Sequence, residues 1–398
     1  MELSKIYTPK LFQFVQDHLN EDPAQLLLRH HQNKELDIKE AVQQISARQK
    51  AANKLPSWVA NPKVIFPASI SLEQCSSELT AIFKRRIVQG KSLIDLTGGF
   101  GVDTFYLGEQ FQQVVYLERQ EKLAETVRFN FPKLSNYPEN YTILSTDSME
   151  YLKASKVRFD WIYIDPARRG GQNQKLYKLE DCEPDILGNW DLLTQKAENI
   201  MVKASPMLDI KEAIRELPSL TAIHVVAVKN EVKEVLLVWQ KEIREGRKIT
   251  AWNLTQDQEE NFTFDFEEEE SADIAYGLPE KYLVIPPAAI LKAGAFKSFS
   301  KQFGLKKLHP NTHFYTTDLL GENLQGRAFE ILGEIKLEKR AIKKTFPTAK
   351  VNVLVRNHPM KPEAIKNKFK LKDGGDDYLI ACTLLDGSAK AYHCKRAR

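Results

Sequence analysis

The sequence has no run of about 18 apolar residues, so a membrane-spanning helix is not expected. Its first residues, Met1-Glu2-Leu3-Ser4-Lys5, lack the basic and apolar segments of a secretory signal. Cysteine is sparse: Cys75, Cys182, Cys382 and Cys394 stand far apart and form no C-x-x-C pair. This spacing argues against a disulfide frame or a zinc site and for reduced thiols in a cytoplasmic protein. His224, His309, His313, His358 and His393 show no ligand spacing, so no metal is expected. Internal repeats and low-complexity segments are missing as well.

The 398 residues are 42% apolar and 28% charged, enough for two or three domains with substantial cores. A net charge of +4 conceals an asymmetry. Residues 336–398 hold 16 Lys and Arg against 6 Asp and Glu, an excess of ten, which leaves minus six for the remainder. A basic tail on a mildly acidic body is expected of a polyanion-binding appendage, although a lysine-rich solvated surface has the same composition.

Residues 1–70 read as a helical segment. Thr8-Pro9 and Asp22-Pro23 each put a capping residue before a first-turn proline, and apolar residues follow at helical spacing. From Ser71 short apolar strands alternate with helices: Leu93 to Leu96, Val114 to Leu117, Thr142 to Leu144, Trp161 to Ile164 and Ile200 to Lys203. This predicts an α/β domain over 71–256, a doubly wound Rossmann-like sheet. Ala222 to Val228 and Val235 to Trp239 are too close for a crossover helix and should pair antiparallel. The acidic stretch 257–273 reads as a boundary, with Phe262, Phe264 and Phe266 as an edge strand. Beyond it, a small α/β unit fits 274–326, and a β-α-β-α-β-β pattern fits 327–398.

Four places carry chemistry. Asp95 ends a strand ahead of the turn Thr97-Gly98-Gly99-Phe100-Gly101, where two glycines let backbone approach a ligand before a helix N-terminus. A dinucleotide site prefers G-x-G-x-x-G, and Thr104 stands at the third position, which disfavours a nicotinamide dehydrogenase. Glu118 closes the next strand, where a carboxylate can accept from both ribose hydroxyls, or simply face solvent. Asp147 can accept from an adenine amino group or cap the helix that follows. Asp165-Pro166-Ala167-Arg168-Arg169-Gly170-Gly171 leaves the fourth strand at the ligand-binding edge of such a sheet. Asp165 can take a proton or hold a substrate base, and Arg168 and Arg169 can contact phosphate.

On these motifs the sequence resembles the class I S-adenosylmethionine-dependent RNA methyltransferases, in particular a group with ferredoxin-like and C-terminal THUMP-like domains. The resemblance rests on Ser71 to Glu78, Asp95 to Thr104 and Asp165 to Arg169, and more loosely on Tyr282 to Pro287 and Glu334 to Lys372. It implies S-adenosylmethionine as cofactor, with Asp95, Gly99, Gly101 and Asp103 around its methionine half, Glu118 on its ribose and Asp147 on its adenine. Glu73 to Ser76 would close over it, and Asp165, Pro166 and Arg168 would form the catalytic loop.

The THUMP-like part implies an RNA partner, tRNA or rRNA. Its basic residues Lys339, Arg340, Lys343, Lys344, Lys366, Lys368 and Lys370 are the candidate contacts, together with Arg169. Base-amino methylation usually uses an aromatic two residues after the first proline, where Arg168 stands; Tyr177 or Trp190 would have to supply the stacking. Uracil C5 methylation needs a nucleophilic Cys after the fifth strand, and Lys203-Ala204-Ser205 provides none. Direct transfer to a base nitrogen or ribose oxygen is therefore expected. The alternatives are a non-catalytic RNA-binding protein with a retained cofactor pocket, and a methyltransferase acting on something other than RNA. The sequence is silent on oligomeric state.

Overall fold

The computed structural model describes residues 3–33, 35–67, 69–168, 178–243 and 246–397. The chain divides into two compact units, Met1–Thr221 with Val235–Glu245 and Ala222–Glu234 with Gly246–Arg398.

The first unit opens with helices Leu3–Ile6, Pro9–Asp17, Pro23–His30, Ile38–Ala51, Pro56–Ala60 and Ser69–Gln74. Thr8 and Asp22 cap two of them by accepting from the Leu11 and Gln25 N–H groups at 3.3 and 2.9 Å. These helices are part of the larger core. Trp58 packs edge-on against Phe100 at 5.0 Å and Phe105 at 5.7 Å, both beside the glycine turn. Arg48, 1% exposed, fixes the chain that follows by donating to the carbonyls of Val59, Asn61, Pro62 and Val64. These four bonds from its two terminal nitrogens offset much of the cost of burying the guanidinium.

The sheet of this unit contains β1 (Ser92–Asp95), β2 (Gln113–Glu118), β3 (Tyr141–Ser145), β4 (Phe159–Ile164), β7 (Ala197–Ala204) and β9 (Glu231–Gln240). A separate ribbon, β5 (Ala167–Arg168) with β6 (Cys182–Glu183), follows β4. The sheet order is β9-β7-β4-β1-β2-β3. All contacts are parallel except β7 with β9, whose register sets Ala204 against Val235. Because β1 lies between β2 and β4, their carboxyl ends open a crevice at one edge.

The second unit begins with β8 (Ala222–Val228), which pairs parallel with β10 (Lys248–Leu254), and β10 pairs antiparallel with β11 (Glu259–Asp265). Lys229 and Asn230, both at positive φ, make the two-residue turn between β8 and β9. The stretch read as a boundary carries the expected edge strand, in which Phe262 and Phe264 are buried, but Phe266 opens the helix Phe266–Ser271 instead of continuing that strand. Glu269 in that helix accepts from the N–H groups of Phe296, Lys297 and Ser298, capping the helix Phe296–Gln302. An acidic run signals solvent only while its carboxylates lack partners, and this one has backbone donors.

The rest is a seven-stranded sheet of β12 (Tyr282–Ile285), β13 (Lys306–His309), β14 (Thr312–Thr317), β15 (Arg327–Glu334), β16 (Asn352–Arg356), β17 (Asp377–Thr383) and β18 (Ala389–Arg396). Its order is β13-β14-β12-β15-β18-β17-β16, so the stretches 274–326 and 327–398 share one sheet through β12 and β15. The β-α-β-α-β-β pattern of the tail is present, with helices Lys339–Thr345 and Pro362–Phe369.

Candidate active site

A cavity of about 1020 Å³ opens at the carboxyl edge of β1, β2, β3 and β4, entirely within the first unit. Its floor is the glycine turn. Gly99 and Gly101 sit at φ +55° and +80°, which L side chains rarely adopt. A Cβ on Gly98 would fall 2.1 Å from the Tyr116 ring, whose hydroxyl donates to the Gly99 carbonyl at 2.6 Å. The turn is thus pressed flat against β2, with backbone facing the cavity.

Asp95 lines the cavity but is 1% exposed, and its oxygens are committed to the loop. It accepts from the Thr97 N–H at 2.8 Å and from the Thr104 hydroxyl at 2.5 Å. Thr104, the residue that breaks the dinucleotide pattern, is there to hold this carboxylate. Burial pushes the Asp95 carboxyl up to about 7, although the Thr104 and Thr97 donors pull against it.

Glu118 accepts from the Gly99 N–H on one oxygen (3.0 Å) and from the Gln120 N–H on the other (2.8 Å). Each oxygen retains acceptor capacity toward the cavity it lines. Asp147 is the N-cap of the helix Ser148–Ala154, and both of its backbone bonds, from Met149 and Glu150, fall on Oδ1. The two readings of this residue are compatible, since it also lines the cavity. Of the preceding segment, Ser71, Gln74, Cys75 and Ser76 line the cavity, whereas Glu73 is exposed and its carbonyl accepts from Lys54 at 2.7 Å.

The acceptor side is built on a charge network. Asp165 leaves β4 with its N–H donating to the Thr97 hydroxyl at 2.6 Å, and its Oδ2 accepts from Lys203 Nζ at 2.5 Å. Lys203 also lies 3.8 Å from Asp103. Asp103 accepts from Ser76 and Tyr163, each at 2.7 Å, and has the fully buried Lys84 ammonium at 3.1 Å. Burial alone would raise the Asp103 carboxyl, but Lys84 and Lys203 outweigh it and hold the group well below the usual carboxylate range. Asp103 is therefore an ionised hub beneath the cavity, and Ser76 serves it rather than facing outward.

Lys203, Lys84 and Tyr163 were not among the sequence candidates. A lysine ending the otherwise apolar run Ile200-Met201-Val202 was the available signal, since a charge entering a buried strand needs a partner. Pro166 is buried and lines the cavity. Arg168 contributes its backbone to β5; its side chain, Arg169 and Tyr177 lie outside the described residues. Trp190 donates its indole N–H to Ser219 at 3.0 Å and packs against Trp239. Cys75 is the cavity-lining cysteine, and burial pushes its thiol up to about 11, so it is no nucleophile at neutral pH. Among the described residues no group of metal ligands occurs, and no helix is long and apolar enough to cross a membrane.

A ferredoxin-like domain model matches residues 282–324, and a THUMP domain-like model matches 326–396. A Porphyromonas gingivalis W83 protein, solved by crystallography as a candidate methyltransferase, is 32% identical over the whole of both chains, with a TM-score of 0.89. The chain belongs to this family of class I S-adenosylmethionine-dependent methyltransferases. An uncharacterised S-adenosylmethionine-dependent methyltransferase of Mycobacterium tuberculosis is 24% identical over 361 residues, 88% of this chain and 95% of its own. Ribosomal RNA small subunit methyltransferase J of Francisella philomiragia is 32% identical over 90 residues, 20% of this chain and 38% of that one. The methyltransferase uses S-adenosylmethionine, and its cavity suits that molecule. It offers a backbone cradle at the glycine turn and carboxylates at the ends of β2 and β3 for hydroxyl and amino donors.

Proposed function

We propose that this methyltransferase acts on RNA, tRNA or rRNA, and moves the methyl group directly to a base nitrogen or ribose oxygen with no covalent enzyme intermediate. The observation that carries the reading is the Asp165–Lys203 pair at 2.5 Å beside the glycine cradle. Support for RNA comes from the THUMP-like match over 326–396, the excess of ten basic charges beyond residue 335, and the ribosomal RNA activity in the Francisella relative's name. A cytoplasmic setting goes with it.

Bound S-adenosylmethionine supplies a methyl group already activated by its sulfonium. In the proposed assignment Gly99 and Gly101 cradle the methionine half, Glu118 accepts from the ribose and Asp147 from the adenine. Asp95 and Asp103 act from beneath, the first by fixing the glycine turn through Thr97 and Thr104, the second by anchoring Lys203 and Ser76. Asp165, oriented by Lys203 and the Thr97 hydroxyl, accepts a hydrogen bond or a proton from the incoming nucleotide. Pro166, buried at the cavity wall, is assigned to the catalytic loop with Asp165, and Arg168 and Arg169 are assigned to phosphate. With the Cys75 thiol protonated, covalent attack on a pyrimidine ring has no nucleophile here.

The test is transfer from labelled S-adenosylmethionine to total RNA of cells lacking the gene, followed by digestion to nucleosides. Label in one nucleoside is expected, lost with Asp165→Ala while cofactor affinity stays nearly intact. Cofactor binding without label in any RNA fraction would overturn the RNA reading.

A further inference from the structure

One wall of the cavity is supplied by chain that precedes β1. Ser71, Gln74, Cys75 and Ser76 line it, and they belong to the helix Ser69–Gln74 and the two residues after it. A helix of six residues is too short to hold itself in water, and Leu72 is its one buried residue. The chain on either side is firmly tied. Before it, the Gln44 side chain pairs with the Phe66 backbone, accepting from the N–H at 2.8 Å and donating to the carbonyl at 2.9 Å. After it, the Ser76 hydroxyl donates to Asp103 at 2.7 Å and accepts from Lys84 Nζ at 3.2 Å. Residues 69–76 are thus a strap along the cavity wall between two fixed points.

Lys54, just beyond the helix Ile38–Ala51, holds the strap at its middle. Its Nζ donates to the carbonyls of Leu72 at 2.9 Å and Glu73 at 2.7 Å, in the last turn of the helix Ser69–Gln74. The last carbonyls of a helix lack partners within it and form its negative end, so an ammonium there answers both needs. The backbone carbonyl of Lys54 meanwhile accepts from the Glu78 N–H at 2.8 Å, where the chain returns from the strap. Burial disfavours the charged form of Lys54, which makes each acceptor count for more. Lys50, four residues earlier, reaches only the Ser69 hydroxyl, at 3.0 Å and at an exposed position.

We propose that Lys54 is a positioning residue for S-adenosylmethionine: it latches the strap Ser69–Ser76 in place, so that the cofactor meets a wall already formed. Lys54 itself does not line the cavity and acts through the strap. Without the latch, a part of the molecules have the strap displaced, and the apparent affinity falls by the fraction in which the wall is in place. The N-terminal helices, which carry no reacting group, thereby take part in cofactor binding. The proposal rests on the reading of the cavity as the cofactor's site.

The test measures S-adenosylmethionine binding to the full chain by calorimetry, together with the rate at which a maleimide modifies Cys75. That thiol sits in the strap and is half-buried, whereas Cys182, Cys382 and Cys394 are buried. Lys54→Met is expected to weaken the cofactor about tenfold and to speed Cys75 labelling of the cofactor-free protein by a similar factor. Lys54→Arg, which can still donate to both carbonyls, should restore most of the affinity and slow the labelling again. If Lys54→Met fails to fold, Lys54→Gln, which keeps an amide donor, should lose about threefold. Parent-like affinity and labelling in Lys54→Met, with cofactor lost in Glu118→Ala, would overturn the latch and leave the cavity reading standing, even if the melting temperature falls. Cofactor binding untouched by either change would overturn both. Affinity lost in Lys54→Met with Cys75 labelling unchanged would mean that the strap has not moved, and would overturn the proposed route.

Discussion

Lys84 and Lys203, under the cavity of the first unit, each lie against a carboxylate, whereas Arg327 and Arg356, on the seven-stranded sheet of the second, have each other and Arg396 as charged neighbours. The same kind of charge is thus neutralised by carboxylates in one unit, whereas in the other Arg327 and Arg356 have no ion pair among the described residues. Internal pairing costs desolvation and returns a fixed geometry, which a transfer site needs. Like charges brought close together cost repulsion instead.

The largest effect expected from this contrast is on stability. Asp103→Ala would take from the fully buried Lys84 the carboxylate at 3.1 Å and from Lys203 one of its two carboxylate neighbours. Breaking a buried pair from one side costs about 3–5 kcal/mol. Urea denaturation of this variant should shift by that order. Arg356→Gln should instead stay within about 0.5 kcal/mol of the parent, or exceed it, because it removes repulsion from an exposed position. Equal losses from the two changes would break the comparison.

Next in size is an effect on rate. Lys203→Met removes the ammonium that orients Asp165 while Lys84 still serves Asp103. Misplacing a reacting group slightly can cost about a hundredfold. Methyl transfer should fall by that order, chiefly in kcat, with cofactor affinity little changed and partial recovery in Lys203→Arg. A loss confined to cofactor binding would make Lys203 part of the cofactor pocket instead.

The contrast also separates what the sequence makes legible from what it does not. Asp95, the glycine turn, Glu118 and Asp165 are strand-end positions, and strand ends follow from period and turn chemistry within a short window. Lys84, Ser76, Asp103, Tyr163 and Lys203 span 128 positions and meet only once β1, β4 and β7 are aligned. The arginine cluster is assembled likewise from β15, β16 and β18. Charge counting found the basic tail but could not say which face carried the charge. In the acidic stretch 257–273 the edge strand is legible from its alternating phenylalanines, but the helix Phe266–Ser271 is not, because composition records charges and only partners decide whether those charges face water.

The smallest effect sharpens the contrast within one unit, because Asp95 and Asp103 are both buried and yet shifted in opposite directions. An unfolded aspartate ionises near 3.8, and folded Asp95 at about 7. Folding therefore favours its proton-bound form. The stability this contributes is complete below pH 3.8, drains away as the pH rises toward 7, and is gone above that. Asp103 behaves in the reverse sense: its contribution is present above pH 3.8 and is lost as the pH falls toward 2. Asp95→Asn keeps the acceptor for the Thr97 N–H and removes only the first slope. Melting temperatures measured at pH 5 and pH 7.5 should show the variant gaining on the parent as pH rises, by a few degrees at most. Parallel curves would mean that Asp95 stays ionised across this range and that the Thr97 and Thr104 donors outweigh burial. The glycine turn would then be held by a charge, as the acceptor side is, and the difference between the two aspartates would disappear.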